Sequence, residues 1–286
     1  MTIGWKLIFL LSMAAAAAFG TDLDRAQKLY DRTDYPAALE VLSKSAEPKS
    51  GAAWELSGKA NYQLGEYKKA IESFEKATQA EPNNSRYHNW LGRAWGRRAE
   101  TSNPLAAPGH ASRARHSFER AVQLNPRDLD AVNDLLSYYL EAPGFLGGGL
   151  DKATALAEKI KTSDQAEYHS ALAQIAERQK LHDLAEGQFR RAAALAPKQV
   201  GRIVDLARFL ARRGKYAESE SAFQLASNVE PNSPMVLYAH AETYVETNRN
   251  LDTAKVLLQQ YLKSPLGPDD PPRQDARRLL KRVSGD

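Results

Sequence analysis

Residues 51–84 read GAAWELSGKANYQLGEYKKAIESFEKATQAEPNN, and this stretch decides the fold. Trp54, Gly58 and Tyr62 follow one another at intervals of four residues, so a helix places them on one face. Gly65 then interrupts the helical pattern, because glycine adopts the backbone conformations that turns require. The first half of the stretch therefore predicts an amphipathic helix followed by a tight turn.

The second half of the stretch predicts another helix with its own apolar face. Ala70, Phe74 and Ala77 occur at i, i+4 and i+7, and Pro82 ends the pattern. The two small alanines allow close approach of the helix backbones, while the aromatic ring fills the space between them. A single hairpin of this size cannot bury such a face, so the pattern predicts neighbours of the same kind.

The spacing W-x3-G followed by G-x-Y-x2-A-x3-F-x2-A-x4-P resembles the tetratricopeptide repeat. Ser57 is the visible departure, since the family prefers leucine there. The resemblance implies an all-α fold, a right-handed α-solenoid of about seven helix hairpins spanning residues 21–265. The predicted repeats are residues 22–50, 51–84, 85–128, 129–165, 166–199, 200–233 and 234–265.

Two segments depart from the regular spacing of the repeats. The second helix of the third repeat comes ten residues late, and the extra residues fall in 97–112 (RRAETSNPLAAPGHAS). Its prolines and glycine predict a loop at one rim of the stack. Residues 142–150 (APGFLGGGL) contain a Pro-Gly pair and three consecutive glycines, which predict a second loop in the fourth repeat.

Residues 266–286 predict a proline-rich linker and a last helix from about Pro272 to Val283. One face of that helix is apolar and the other is basic. This profile is typical of a capping helix, which covers the open end of a repeat stack and presents charge to water. The apolar face consists of Ala276, Leu279, Leu280 and Val283.

Composition excludes several kinds of site. The chain has no cysteine, which excludes disulfides, thiolate zinc sites and a cysteine nucleophile. The formal net charge is only +4, from 39 basic and 35 acidic residues, so the surface is mixed and does not suit a polyanion. No nucleic-acid partner is predicted.

Residues 1–20 resemble an export signal. Lys6 precedes an apolar run, and small residues near Gly20 suit cleavage before Thr21. The alternative is an uncleaved membrane anchor, but the run is short for a span of about 20 residues, so cleavage is favoured. We therefore expect a periplasmic or secreted protein, with membrane contact only if the signal remains.

No catalytic set stands out. The six histidines are scattered among different repeats, and no HExxH or GxSxG motif occurs. Residues 144–152 (GFLGGGLDK) lack the GK[ST] end and the preceding strand of a phosphate-binding loop. The sequence predicts no enzyme activity, no metal site and no small-molecule cofactor.

Arginines are concentrated in the third repeat, which is the most uneven charge feature of the chain. A solvated face is favoured for this cluster, with an acidic peptide, lipid headgroup or polysaccharide contact as the alternative. The residues concerned are Arg86, Arg93, Arg97, Arg98, Arg113, Arg115 and Arg120.

The family resemblance implies that the first helix of each repeat lines a concave groove that binds a protein or peptide. Amide and arginine side chains on that face suit hydrogen bonding to peptide backbone and carboxylates; the alternative is that they only keep the groove hydrated. The candidate groove residues are Glu55, Lys59, Tyr62, Gln63, Arg86, Asn89, Arg93, Asn133, Ser137, Ser170, Gln174, Arg178, Arg208, Arg212, Tyr238 and Glu242.

Some members of the family clamp a C-terminal carboxylate with lysine, asparagine and arginine from successive first helices. Lys59, Asn89, Arg93 and Asn133 match part of that set, but Glu55 stands where a lysine is needed, so no clamp is predicted.

The favoured hypothesis is thus a non-catalytic binding scaffold of the bacterial cell envelope. The alternative is an accessory assembly subunit of an envelope enzyme or export machine, for polysaccharide or pilus assembly, which binds through its rim loops.

Overall fold

The computed structural model describes residues 22–45, 50–267 and 270–284. Those residues form α-helices joined by short turns, and the described part of the chain contains no β-strand. The predicted all-α solenoid of helix hairpins is confirmed. The predicted export signal, residues 1–20, lies outside the described residues.

The helices pair along the chain in order, each first helix antiparallel to the next. The first, α1, covers residues 22–31. The others are α2 (Tyr35–Lys44), α3 (Gly51–Gln63), α4 (Tyr67–Ala80), α5 (Ser85–Glu100), α6 (Ala107–Leu124), α7 (Leu129–Glu141), α8 (Leu150–Ile160), α9 (Gln165–Arg178), α10 (His182–Leu195), α11 (Val200–Arg212), α12 (Tyr216–Val229), α13 (Pro234–Glu246), α14 (Leu251–Lys263) and α15 (Arg273–Ser284).

The pairing of α3 with α4 shows why small residues are needed on these faces. A Cβ atom added at Gly58 would lie 2.5 Å from the ring of Phe74, so only glycine lets the two helices approach this closely. Gly92 has the same relation to Phe118 in the next hairpin. Gly65 forms the turn between α3 and α4 with a φ of +76°, which glycine adopts without strain.

The prediction of a loop over residues 97–112 was wrong for most of its length. Helix α5 continues to Glu100 and α6 begins at Ala107, so only residues 101–106 form the turn. Pro108 lies in the first turn of α6, where its missing N–H would have no intrahelical partner in any case. The imidazole of His110 stacks on Trp95 with ring centroids 5.2 Å apart and holds the lengthened helices together.

Residues 142–149 form the second predicted loop as a short 3₁₀ turn, Gly144–Leu146, followed by glycines. Gly147 and Gly149 have φ values of +87° and +149°, and the Gly149 N–H donates to the carbonyl of Tyr139 at 2.8 Å. The ammonium group of Lys152 donates to the Gly147 carbonyl at 2.9 Å. The lysine therefore stabilises the loop itself.

We expect Gly148→Ala to lower the free energy of unfolding by about 1–3 kcal/mol, the usual effect of overpacking. A Cβ atom at this position would overlap the backbone carbonyl oxygen of Ala142, and backbone cannot move aside as a flexible side chain can. Gly144→Ala is the matched control, because a Cβ atom added there would have no other atom within 4 Å. Urea unfolding followed by circular dichroism measures both; equal stability of the two variants would contradict the expectation.

Helix α15 packs its apolar side on the last hairpin. Ala276 is buried in a cluster with Tyr238, Leu258 and Tyr261, and three partly buried residues of α15, Leu279, Leu280 and Val283, lie against it. The predicted capping arrangement is thus observed at this end. The polar side of α15 does not simply face water, because Asp275 is buried against Arg97 of α5 and Gln274 donates to Tyr67 of α4. In the described residues, no helix is both long and apolar enough to span a membrane.

Candidate functional site

The first helices of the fourth, fifth and sixth hairpins line a groove of about 880 Å³. Helices α7, α9 and α11 supply its walls, and its lining combines both signs of charge with amide and hydroxyl groups. Six of the predicted groove residues contribute to it: Asn133, Ser137, Gln174, Arg178, Arg208 and Arg212. We call this the central groove.

Charged residues that the sequence analysis missed also line the central groove. Arg202 and Asp205 lie on α11 together with Arg208 and Arg212, at intervals of three and four residues. That spacing places all four on one helix face, so the periodicity would have found the missing two. Glu177 of α9 lines the groove beside Arg212, to which it is paired at 2.9 Å, and Glu141 and Lys180 line it as well.

The best-buried ion pair in the groove joins neighbouring hairpins. The guanidinium of Arg202 donates to the carboxylate of Glu167, which has no solvent exposure. Arg202 also donates to the hydroxyl of Ser170 at 3.0 Å. Burial raises the pKa of the Glu167 carboxyl, and the charge of Arg202 acts in the opposite direction. The predicted groove residue Ser170 therefore lies within a structural ion-pair network.

A second concavity of about 500 Å³ lies between the two halves of the solenoid. The predicted residues Tyr62, Arg93 and Arg208 line it from several hairpins, and so do Tyr238 and Glu242. Burial raises the pKa of Glu242, and Arg208, whose guanidinium lies 2.5 Å from this carboxylate, acts against that effect. We call this concavity the inner chamber.

Several predicted groove residues bind one another. Glu55 is buried and pairs with Lys59 at 2.7 Å and with Arg86, one hairpin further on, also at 2.7 Å. The side chain of Gln63 donates to the carbonyl of Asp270 at 3.2 Å. These contacts join elements of the fold, and whether the same residues also bind a partner stays a prediction.

The partial match to a carboxylate clamp has a structural explanation. Asn89 donates to Asp134 at 2.9 Å, and Arg93 donates to the same carboxylate at 2.5 Å. Helix α7 thus supplies, within the chain, the carboxylate that such a clamp would take from a ligand. Lys59 is engaged with Glu55.

The arginine-rich third repeat does not form a continuous basic surface. Arg86 and Arg93 pair with carboxylates of neighbouring hairpins, and Arg97 pairs with Asp275 of α15 at 2.8 Å. Arg113 lies over the ring of Trp95, 4.6 Å from its centroid. These partners lie in different directions, so the cluster mainly joins parts of the structure.

No group of three or more histidine, aspartate or glutamate side chains within the described residues is arranged to hold a metal ion. The absence of a cofactor and of enzyme activity stays a prediction.

Comparison with known proteins identifies the family. A model described as TPR repeat matches residues 58–97, and one described as tetratricopeptide repeat matches residues 150–200. The chain contains tetratricopeptide repeats. Tetratricopeptide folds typically serve as non-catalytic scaffolds that bind proteins or peptides.

Solved structures of other tetratricopeptide proteins share the fold. A thermophilic tetratricopeptide protein of Thermus thermophilus is 21% identical, with a TM-score of 0.51; the match covers 70% of this chain and 98% of that one. A tetratricopeptide repeat protein from Parabacteroides merdae is 13% identical, with a TM-score of 0.56, and the match covers 94% of this chain and 99% of that one. No curated protein matches the chain at a significant level.

Proposed function

We propose that this tetratricopeptide repeat protein is a non-catalytic scaffold of the bacterial cell envelope that holds an extended protein or peptide segment in its central groove. The envelope location rests on the export signal predicted from residues 1–20. The choice of the central groove rests on three polar side chains that line it and are able to form further hydrogen bonds.

Those three groups belong to neighbouring first helices. Asn133 Oδ1 is buried and accepts no hydrogen bond from the described residues. Ser137 and Gln174 line the same groove, and their side chains make no hydrogen bond to the rest of the described chain. An extended peptide presents backbone N–H and C=O groups at regular intervals, which these acceptors and donors can bind. This set is the observation that carries the proposal.

The four arginines that line the central groove already have partners within the chain, which determines what kind of segment fits. Arg202 pairs with Glu167, Arg212 with Glu177, and Arg178 donates to the carbonyl of Leu140 at 2.8 Å. A highly charged ligand would have to break these contacts, whereas a segment bound through its backbone would not. We therefore expect a partner segment of low net charge within the groove.

We expect the double variant Ser137→Ala, Gln174→Ala to weaken partner binding about tenfold, since each lost hydrogen bond costs about 0.5–1.5 kcal/mol. The mature protein is crosslinked in envelope extract, the captured partner is identified, and the affinity is measured by titration. Gln224→Ala is the control, because Gln224 is an exposed glutamine of α12 outside the groove. Failure to recover a reproducible partner, or equal binding by the double variant, would contradict the proposal.

A second candidate function, assembly through the rim, is supported by two exposed apolar side chains. Leu105 is 96% exposed and Phe145 is 83% exposed, and they lie in the turns of consecutive hairpins. Contiguous exposed apolar patches are typical of contact sites, and these two side chains are the candidates for such a patch on this rim. In the same capture experiment, Leu105→Ser with Phe145→Ser tests this surface without cutting α6, which begins at Ala107. Loss of the partner in this variant alone would favour the accessory-subunit role.

A further inference from the structure

The C-terminal segment of the chain reaches back to the second and third hairpins. The carbonyl of Asp270 accepts from Gln63 at 3.2 Å. The amide of Gln274 donates to the hydroxyl of Tyr67 at 2.9 Å. In each pair, 207 positions separate the partners in sequence, so these contacts exist only because the solenoid curves round until its end meets its beginning.

An ion pair adds to these hydrogen bonds. Nη2 of Arg97 lies 2.8 Å and 3.0 Å from the two carboxylate oxygens of Asp275, and the same guanidinium donates to the hydroxyl of Tyr67. Burial alone would lower the pKa of Arg97, but Asp275, Glu100 and Tyr67 outweigh burial and hold it above its ordinary value. We call Gln63, Tyr67 and Arg97 the docking surface.

The contacts at the docking surface are polar, whereas the apolar contacts of the C-terminal segment lie elsewhere. Helix α15 buries Ala276 in the core of the last hairpin, with Tyr238 and Tyr261. The hydroxyl of Tyr261 also donates to the carbonyl of Pro271, which fixes the segment from the same side. The segment is thus anchored to the last hairpin by packing and to the docking surface by hydrogen bonds and charge. The second attachment can open while the first remains.

The docking surface also forms part of the inner chamber. Arg97 lines the chamber together with Tyr62, and Asp270 and Asp275 line it from the opposite side. Detachment of the C-terminal segment would therefore open the chamber and leave Nη2 of Arg97 without the Asp275 carboxylate, while Nη1 stays paired with Glu100 at 2.5 Å.

We propose that the docking surface binds a proline-containing acidic segment of a partner protein, and that residues 270–275 of the chain, where two prolines lead into the first turn of α15, occupy it until the partner segment replaces them. This inference rests on the proposed scaffold function. It adds the chemistry of a partner segment and an internal segment that regulates its binding. The occupant shows the chemistry required: a backbone carbonyl for Gln63, an amide for Tyr67, and a carboxylate for Arg97. Consecutive prolines at 271 and 272 restrict the backbone directly before α15 begins at Arg273, which reduces the entropy lost on docking.

A distance measurement tests the exchangeable contact. The chain has no cysteine, so Lys69→Cys on α4 and Lys281→Cys on α15 can each carry one spin label. We expect Asp275→Asn to give a longer mean distance between the two spin labels, and a broader distribution of distances, than the wild-type protein. Arg97→Gln should do the same without altering α15, and Asp252→Asn, an exposed charge change in α14, should not. Unchanged distances in Asp275→Asn and Arg97→Gln would overturn the inference.

A peptide of residues 264–277 tests the specificity of the surface. We expect it to bind the full-length Asp275→Asn protein about tenfold more tightly than the wild-type protein, because the internal competitor is weakened. Arg97→Gln should abolish this binding. Equal affinity for all three proteins would overturn the inference. Light scattering tests whether residues 270–275 of a second copy occupy the docking surface instead. A dimer of the wild-type protein would support that alternative and overturn the intramolecular contact.

The two proposals can fail separately. If the Ser137, Gln174 double variant loses the partner while Asp275→Asn has no effect on distance or affinity, only the present inference fails. If Asp275→Asn opens the contact and binds the peptide, but no envelope partner is captured, the docking surface stands and the proposed function fails.

Discussion

Arg202→Ala should lower the free energy of unfolding by about 3–5 kcal/mol, the typical cost of removing one member of a buried ion pair. The variant leaves the carboxylate of Glu167 with no solvent exposure and without its cation. The lost guanidinium also joins α9 to α11, so the effect extends over two hairpins. Urea unfolding measures the loss.

The effect should depend on pH, and its sign follows from the pKa of Glu167. Burial raises this pKa above its value in the unfolded chain, so over the intervening pH range the folded state binds more protons and stability falls as pH rises. The charge of Arg202 lowers the pKa of Glu167, so the upward shift of this pKa is larger in the variant that lacks Arg202. We therefore expect the variant to lose more stability at about pH 7.5 than at about pH 5.

Two further variants test whether the unpaired charge of Glu167 causes the loss of stability in Arg202→Ala. Arg190→Ala removes an arginine that pairs with Glu186 and Glu218 at the surface, and it should cost less than about 1 kcal/mol. Adding Glu167→Gln to Arg202→Ala removes the uncompensated charge and should recover more than half of the lost stability. A loss in Arg202→Ala that neither depends on pH nor responds to Glu167→Gln would contradict the explanation.

Phe74→Ala should lower the free energy of unfolding by about 3–5 kcal/mol, because it removes a fully buried ring and leaves a cavity. The ring packs against Gly58 within its own hairpin and stacks on Trp90 of the next, with centroids 5.8 Å apart. Since both helices flanking the cavity are held by other contacts, they cannot close it completely. Thermal and urea unfolding measure the change.

Phe145→Ala is the matched control for Phe74→Ala. It removes the same group from a ring that is mostly exposed, so stability should change by less than about 0.5 kcal/mol. Trp90 fluorescence should report the loss of its stacked neighbour only in the Phe74 variant. Similar losses of stability in the two variants would show that burial does not determine the effect.

The hairpins themselves were predictable from the sequence, because their determinants are local. The spacing of Gly58, Ala70 and Phe74 specifies two helix faces and the residues on them, and both helices form. The predicted loop over residues 97–112 was wrong for most of its length, because Pro108 does not end the helical pattern there. Proline is also favoured in the first turn of a helix, and its position in α6 is such a place.

The candidate site was predictable only in part. Repetition places the predicted residues on first helices, and six of them line the central groove. Opposite charges about one repeat apart, such as Glu177 with Arg212 and Arg208 with Glu242, were a further signal that such residues pair with one another. Whether they also bind a partner stays a prediction.

The sequence by itself determined the helix hairpins, their order and the faces on which they stack, because these depend on apolar spacing within about 34 residues. Only the tertiary structure decided that Asp275 meets Arg97 and that residues 270–275 close the inner chamber. The physical reason is that each repeat adds a small rotation to the last. No local pattern records the sum of those rotations, and this sum determines which distant residues meet.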